Sequence, residues 1–277
     1  MSGNAGAPPP SGVPGERIGL GRTAEVLRFG DDAVVKVLLP GFQEELGEAE
    51  ATIGELVNAA IPDAPRFLGT TRVDGRLGLV YQLVTGPTML DQLTARPWRA
   101  LGLADELARL HAAMHQADGS GLRSQRAYLQ HMIGEARGVA PDEVVSAALR
   151  RAEALPDGTV VCHGDMHPGN VIRALDGPVV IDWMTARAGP PEADVARTLF
   201  LLAGSAVPGS MPFAQRLVVG GIRRAFAARY LRRYRRMRRL DPLVVGAWRL
   251  PILVARLGEG IAAERLQLLR AIRGELA

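Results

Sequence analysis

The chain contains a single lysine, Lys36, against 32 arginines, and a single cysteine, Cys162. One cysteine excludes an internal disulfide framework, and its place in the apolar run ahead of His163 marks a buried structural thiol rather than a nucleophile. No apolar run reaches the roughly 18 residues that a membrane-spanning helix needs. The first 15 residues are rich in Gly, Pro and Ser and lack the charged start and apolar core of a secretory signal. A soluble protein, cytoplasmic and without a membrane partner, is therefore expected. Acidic side chains are scarce beyond position 185, where six stand against 17 arginines; residues 1–185 carry 23 acidic and 16 basic side chains. Such asymmetry can mark a surface for nucleic acid or membrane. Apolar residues are not lacking: 277 residues at 47% hydrophobic content can bury a core sized for one two-lobed unit or two small domains. Residues 1–14, MSGNAGAPPPSGVP, have nothing to bury and are expected to be a disordered tail.

What the chain has in abundance is polar chemistry within residues 161–183, VCHGDMHPGNVIRALDGPVVIDW. Val171-Ile172 and Val179 to Ile181 are short β-like runs joined by Asp176-Gly177, a dipeptide suited to a tight turn. A hairpin there should bring Asn170 and Asp182 together at one end. An amide oxygen and a carboxylate suit a hard cation such as Mg²⁺, which takes oxygen ligands and shares its remaining positions with waters and phosphates. Asp165 is then free for another task. In phosphoryl transfer one carboxylate orients the attacking hydroxyl, while a separate Asn and Asp hold the metal that bridges the phosphates.

His163-Gly164-Asp165, Asn170 and Ile181-Asp182-Trp183 together resemble the catalytic loop and metal motif of the aminoglycoside phosphotransferase and choline kinase-like family, relatives of the protein kinases. The protein kinase signature H-R-D-L-x-x-x-N followed by D-F-G has the same order. Gly164 stands here for its Arg, and Trp183-Met184 for Phe-Gly, which points to the small-molecule branch. The resemblance implies an α+β, protein kinase-like two-lobed fold: an antiparallel β-sheet N-lobe over residues 15–85 and a mainly helical C-lobe over residues 86–277.

Several positions gain a meaning from that frame. Residues 18–39 read as three antiparallel strands with a glycine turn, and Gly19, Gly21 and Val26 resemble the kinase loop that covers phosphates, with Ala24 in place of its third glycine. Lys36 lies in Val34-Val35-Lys36-Val37, where the kinase pattern places the lysine that holds the α and β phosphates. A glutamate of the helical stretch 42–60 should pair with it. The segment Glu50-Ala51-Thr52-Ile53 running to Pro62 and Pro65 resembles the family's pattern and selects Glu50, with Glu48 in reserve. Residues 66–71 and 77–83 complete a five-stranded lobe. By resemblance, adenine bonds the backbone near Gln82 to Val84, and Gly86-Pro87 opens the second lobe.

Beyond it, Trp98 to His115 has apolar residues at helical spacing, and His111 and His115 share one face of that helix. Without the Glu of H-E-x-x-H they are expected to be hydrogen-bonded rather than zinc-bound. His163 and His167 belong to the loop scaffold, and Asp194, in Asp194-Val195-Ala196-Arg197, resembles the family's acid that braces the catalytic loop. Helices are expected over residues 212–239 and 241–273. The arginine run 223–239 is read as a solvated helix, so a nucleic-acid partner is not expected.

The expected activity is transfer of the γ-phosphate of ATP or GTP, with Mg²⁺, to a hydroxyl of a small molecule. Asp165 would act on the acceptor, Asn170 and Asp182 on the metal, and Gly19, Gly21, Lys36, Glu50, Gln82 and Val84 on the nucleotide. An aminoglycoside acceptor calls for an acidic pocket, for which Glu259 and Glu264 are the best placed; a sugar, a macrolide or a metabolite would remain within the same reaction class. Two other readings are a binding or regulatory module that uses the arginine face, and a protein kinase, which the absence of a long activation segment disfavours.

Overall fold

The computed structural model describes residues 12–21, 23–204 and 212–276. They fall into two compact units, one taking in residues up to 87 together with 171–184, the other residues 88–170 and 185–277.

The first unit is built on five antiparallel strands: β1 (Pro14–Leu20), β2 (Ala24–Phe29), β3 (Ala33–Leu38), β4 (Phe67–Val73) and β5 (Arg76–Gln82), in the spatial order β1-β2-β3-β5-β4. Most of the tail expected over residues 1–14 lies outside the described residues. Pro14, however, already opens β1 opposite Phe29, at the start of an edge strand, where proline is tolerated. In the central strand β3, Val35 and Val37 are fully buried and join Phe29, Ala33, Val73 and Val80 in a core on one face. Alternation puts Lys36 on the other face. Helix α1 (Glu44–Ala60) covers that face, packed closely enough that a Cβ at Gly47 would come within 2.7 Å of Leu77. Its buried stripe Gly47, Glu50, Ile53, Gly54 and Val57 has helical period, and Glu50 is the one charged residue in it.

The hairpin β7 (Val171–Ala174) and β8 (Gly177–Val180) forms as the Asp176-Gly177 turn predicts, with Val171 opposite Val180. The sequence-based boundaries assign it to the C-lobe. It groups instead with the first unit, because Arg173 N–H donates to Pro87 O (2.9 Å) and Val180 N–H to Asp63 O (2.7 Å). Gly86 (φ +146°) makes the close approach possible, since a Cβ there would come within 2.4 Å of Arg173 O.

The second unit contains α2 (Met89–Ala95), α3 (Ala100–Met114), α4 (Gln125–Glu135), α5 (Asp142–Ala154), β6 (Val160–Cys162), β9 (Arg187–Gly189), α6 (Pro191–Leu199), α7 (Phe213–Met237), α8 (Pro242–Ala247), α9 (Arg249–Gly258) and α10 (Arg265–Leu276). The capping box of Thr88 and Asp91 starts α2. The long α7 packs along α3 through Phe226, Tyr230 and Tyr234, all buried, four residues apart. The helix expected over residues 241–273 is broken into three. The second break has a local cause: a Cβ at Gly258 would overlap Met132 O of α4, and Gly260 adopts φ +70°. No helix among the described residues is long and apolar enough to cross a membrane.

Candidate active site

In the first unit, Lys36 Nζ donates to Glu50 Oε1 at 2.7 Å and to Asp182 Oδ1 at 3.0 Å. The period-two pattern of β3 aims the lysine at α1, and the helical stripe of α1 brings up Glu50 rather than Glu48, which is exposed. Burial works against charge on Lys36, but Glu50 and then Asp182 outweigh it and raise the ammonium's pKa above the ordinary lysine value. Glu50 is 4% exposed and its second oxygen has no hydrogen-bond partner among the described residues. Tyr81 on β5 donates to the first at 3.5 Å, and Met184 Sδ lies 3.7 Å from Nζ. Sequence reasoning assigned neither Tyr81 nor Met184 to the site; the alternation of β5 was the available signal for Tyr81.

Asp182 follows the last paired residue of β8 by two and has φ +63°, a left-handed backbone that costs a non-glycine residue roughly 1–2 kcal/mol. Its side chain keeps 41% exposure. Strain of this kind persists where the surroundings over-determine it, often at functional positions. Trp183 Nε1 helps to fix it by donating to Val180 O at 2.8 Å.

Gly19 and Gly21 sit at the β1–β2 turn, where Gly19 pairs with Val26 and Gly21 N–H donates to Ala24 O at 2.8 Å. Gln82 ends β5, hydrogen-bonded to Arg66, and the half-buried Val84 lies two residues on.

The second unit holds Asp165 and Asn170. After β6 the chain turns at Gly164 (φ +77°), where a Cβ would lie 2.8 Å from Thr185 O, which explains why the position holds no side chain. Asn170, 8% exposed, donates from Nδ2 to Asp165 O (2.9 Å) and to Asp165 Oδ2 (3.3 Å), leaving its amide oxygen as the remaining donor atom for a ligand. His167 Nδ1 accepts from Gly169 N–H, so its proton resides on Nε2, 3.5 Å from Asp165 Oδ2. Burial alone would raise the Asp165 pKa; the His167 hydrogen bond, then His167, Arg197 and His163 as charges, hold it well below the usual carboxylate range. His167 thus bears directly on the carboxylate, beyond the scaffold part expected of it.

Behind this loop His163, fully buried, accepts Asp165 N–H at Nδ1 (3.2 Å). Asp194 accepts His163 N–H at 2.7 Å on Oδ2 and Gly164 N–H at 2.9 Å on Oδ1. Arg197 Nε donates to Gly164 O (2.8 Å), and its Nη1 makes a 2.7 Å ion contact with Glu259, without hydrogen-bond alignment. Arg256 binds both Glu259 (2.5 Å) and Glu264 (2.7 Å). The two acids expected to serve an acceptor cleft are therefore tied into an internal ion network. Cys162 is buried, and burial pushes its thiol well up, in keeping with a structural thiol.

His111 and His115 on α3 each place Nε2 against Asp194 Oδ2, at 3.0 and 3.2 Å. Burial, and then the neighbouring His111, lower the His115 pKa to about 4, so the folded protein holds this ring neutral where the unfolded chain would protonate near pH 6.5. The resulting stability is complete above about pH 6.5 and is lost as pH falls toward 4, on the order of 3 kcal/mol in all. Urea midpoints are expected to drop between pH 7 and pH 5, with a shallower slope in His115→Gln. An equal slope in that variant would contradict the assignment.

Residues 15–243 match the model of the phosphotransferase enzyme family. Among solved structures the chain is similar to an aminoglycoside-3'-phosphotransferase of type VIII, at 24% identity over 88% of this chain and 93% of that one, TM-score 0.56. It is also similar to the GDP complex of a wild-type aminoglycoside 2'-phosphotransferase-IIIa, at 16% identity over 95% and 93%, TM-score 0.60. A third similar structure is the macrolide 2'-phosphotransferase from Brachybacterium faecium, at 19% identity over 94% and 90%, TM-score 0.50. No curated protein matches the chain. These likenesses show the α+β, kinase-like fold, an antiparallel sheet followed by a mostly helical part, and the family match spans most of the sequence: the chain belongs to the phosphotransferase enzyme family.

Proposed function

We propose that the protein transfers the γ-phosphate of a nucleoside triphosphate, ATP or GTP, to a hydroxyl of a small molecule. The observation that carries this reading is the Lys36 ammonium held between Glu50 and Asp182. An ammonium fixed by a helix glutamate is what the α and β phosphates require in kinase chemistry. Similar structures hold ATP or GDP, which supports nucleotide use. Asp165, kept ionised and oriented by Asn170 and His167, accepts a hydrogen bond from the acceptor hydroxyl and takes its proton. The amide oxygen of Asn170 and the half-exposed carboxylate of Asp182 are each a hard oxygen donor of the kind Mg²⁺ takes, and such an ion would offset the charge of the phosphates.

The engagement of the C-terminal acids supports a neutral or anionic acceptor over a polycationic aminoglycoside. Among the described residues beyond 185, Asp194 is buried, Asp241 caps α8, and Glu259, Glu264 and Glu275 are ion-paired with arginines, which leaves Glu192 alone for ammonium groups. Nucleotide turnover with Mg²⁺ across aminoglycosides, macrolides, amino alcohols and sugars tests this. An uncharged hydroxyl compound is expected to raise turnover about tenfold or more while aminoglycosides do not. Stimulation by an aminoglycoside would overturn the acceptor assignment, and absence of nucleotide binding would overturn the whole.

A further inference from the structure

Asp194 is engaged from a side that the catalytic loop does not touch. The Nδ1 atoms of the two histidines bound to it meet tyrosines of α7: His111 Nδ1 lies 2.5 Å from Tyr230 Oη, and His115 Nδ1 lies 2.6 Å from Tyr234 Oη. All four side chains and the carboxylate are fully buried. The pairs are one helical turn apart on both α3 and α7, so a single register between the helices sets both. The two imidazoles are tilted by 42° with centroids 4.2 Å apart, a proximity that disfavours charge on both at once.

The direction of these hydrogen bonds follows from chemistry. An ionised carboxylate can only accept, so each Nε2 carries the proton. In a neutral imidazole Nδ1 is then an acceptor, and the tyrosine facing it donates. With the alternative tautomer, a ring lone pair would face the Asp194 carboxylate. The three groups also have the spacing of metal ligands. Both ring nitrogens of each histidine already have partners, however, and Asp194 Oδ2 accepts from His163 N–H as well, so hydrogen bonding accounts for the cluster.

We infer that Tyr230 with His111, and Tyr234 with His115, are positioning residues: two relays that lock the Nε2–H tautomers so that Asp194 holds the His163 and Gly164 backbone, and hence Asp165, in its working orientation. The inference rests on the assignment of Asp165 made above, but its structural half can be read without activity.

Tyr234→Phe removes one hydroxyl and keeps the ring. In ¹⁵N correlation spectra of histidine-labelled protein, wild-type His115 is expected as the Nε2–H tautomer and the variant as a mixture. With Mg·ATP as the probe, turnover number is expected to fall about tenfold with KM for ATP unchanged, since Lys36, Glu50 and Asp182 are untouched. In a His115→Gln background, whose amide donates to Asp194 unaided, Tyr234→Phe is expected to add nothing. An Nδ1–H tautomer in wild type, additive losses in the double variant, or a rise in KM at unchanged turnover number would each overturn the relay. If the wild type binds neither Mg·ATP nor Mg·GTP, the phosphotransferase assignment fails instead, and the spectra alone decide whether the tautomer is locked.

Discussion

Asp165→Asn is expected to lower phosphoryl transfer by about a thousandfold and to leave nucleotide affinity within about twofold of wild type. A positioned general base contributes roughly 10²–10⁴ in rate. The substitution is nearly isosteric, so the loop should keep its shape: Asn170 Nδ2 donates to the backbone oxygen of residue 165, which is unchanged, and an amide oxygen can still accept from Asn170 and His167. What is lost is the carboxylate's ability to take a proton. The Lys36–Glu50 pair and Asp182 belong to the other unit and are not altered. Calorimetric titration of wild type and variant with Mg·ATP, beside turnover with an accepted hydroxyl compound, separates the two effects. A variant that retains more than about a tenth of the rate would show that Asp165 orients the acceptor without taking its proton, because phosphoryl transfer with a loose transition state demands little from a base.

The parts of this fold that the sequence made legible are those fixed by local pattern. The kinase-like pattern around Lys36 and the family-like segment from Glu50 to Pro65 picked out these two residues, and the structure buries Glu50 while leaving Glu48 exposed. The Asp176-Gly177 turn specified the β7–β8 hairpin. What escaped was decided by partners distant in the chain. Nothing local in residues 171–180 reveals that their edges bond to Asp63 and Pro87. Glu259 and Glu264 looked available because the arginines that engage them, Arg197 and Arg256, are distinguishable from the other 30 only by position in space. Tyr230 and Tyr234 lay hidden in an arginine-rich run whose charge drew attention from its buried face. Their four-residue spacing, matching that of His111 and His115, was the signal that could have revealed them.

The spacing matters because Asp194 is where the cost of error concentrates. Its carboxylate accepts from four N–H groups: His111, His115 and His163 on Oδ2, and Gly164 on Oδ1. Burial alone would raise its pKa; the two imidazoles, His111 foremost, hold it well below the usual carboxylate range. Asp194→Asn offers one acceptor oxygen and one NH₂ in the same space. If the oxygen faces the three donors, the NH₂ opposes Gly164 N–H; in the flipped orientation it opposes the other three. At least one buried donor is left without a partner in either case, and the negative charge that matched the imidazole N–H dipoles is gone. The expected loss is on the order of 3 kcal/mol, which for a chain of this size lowers Tm by about 6–12 °C. Turnover should fall in the same variant, since the released amides are those of His163 and Gly164, next to Asp165. Differential scanning calorimetry at pH 7.5 provides the measurement. A Tm within about 2 °C of wild type would mean that α3 and α6 are held by apolar packing alone and that the polar network under the catalytic loop carries no stability of its own.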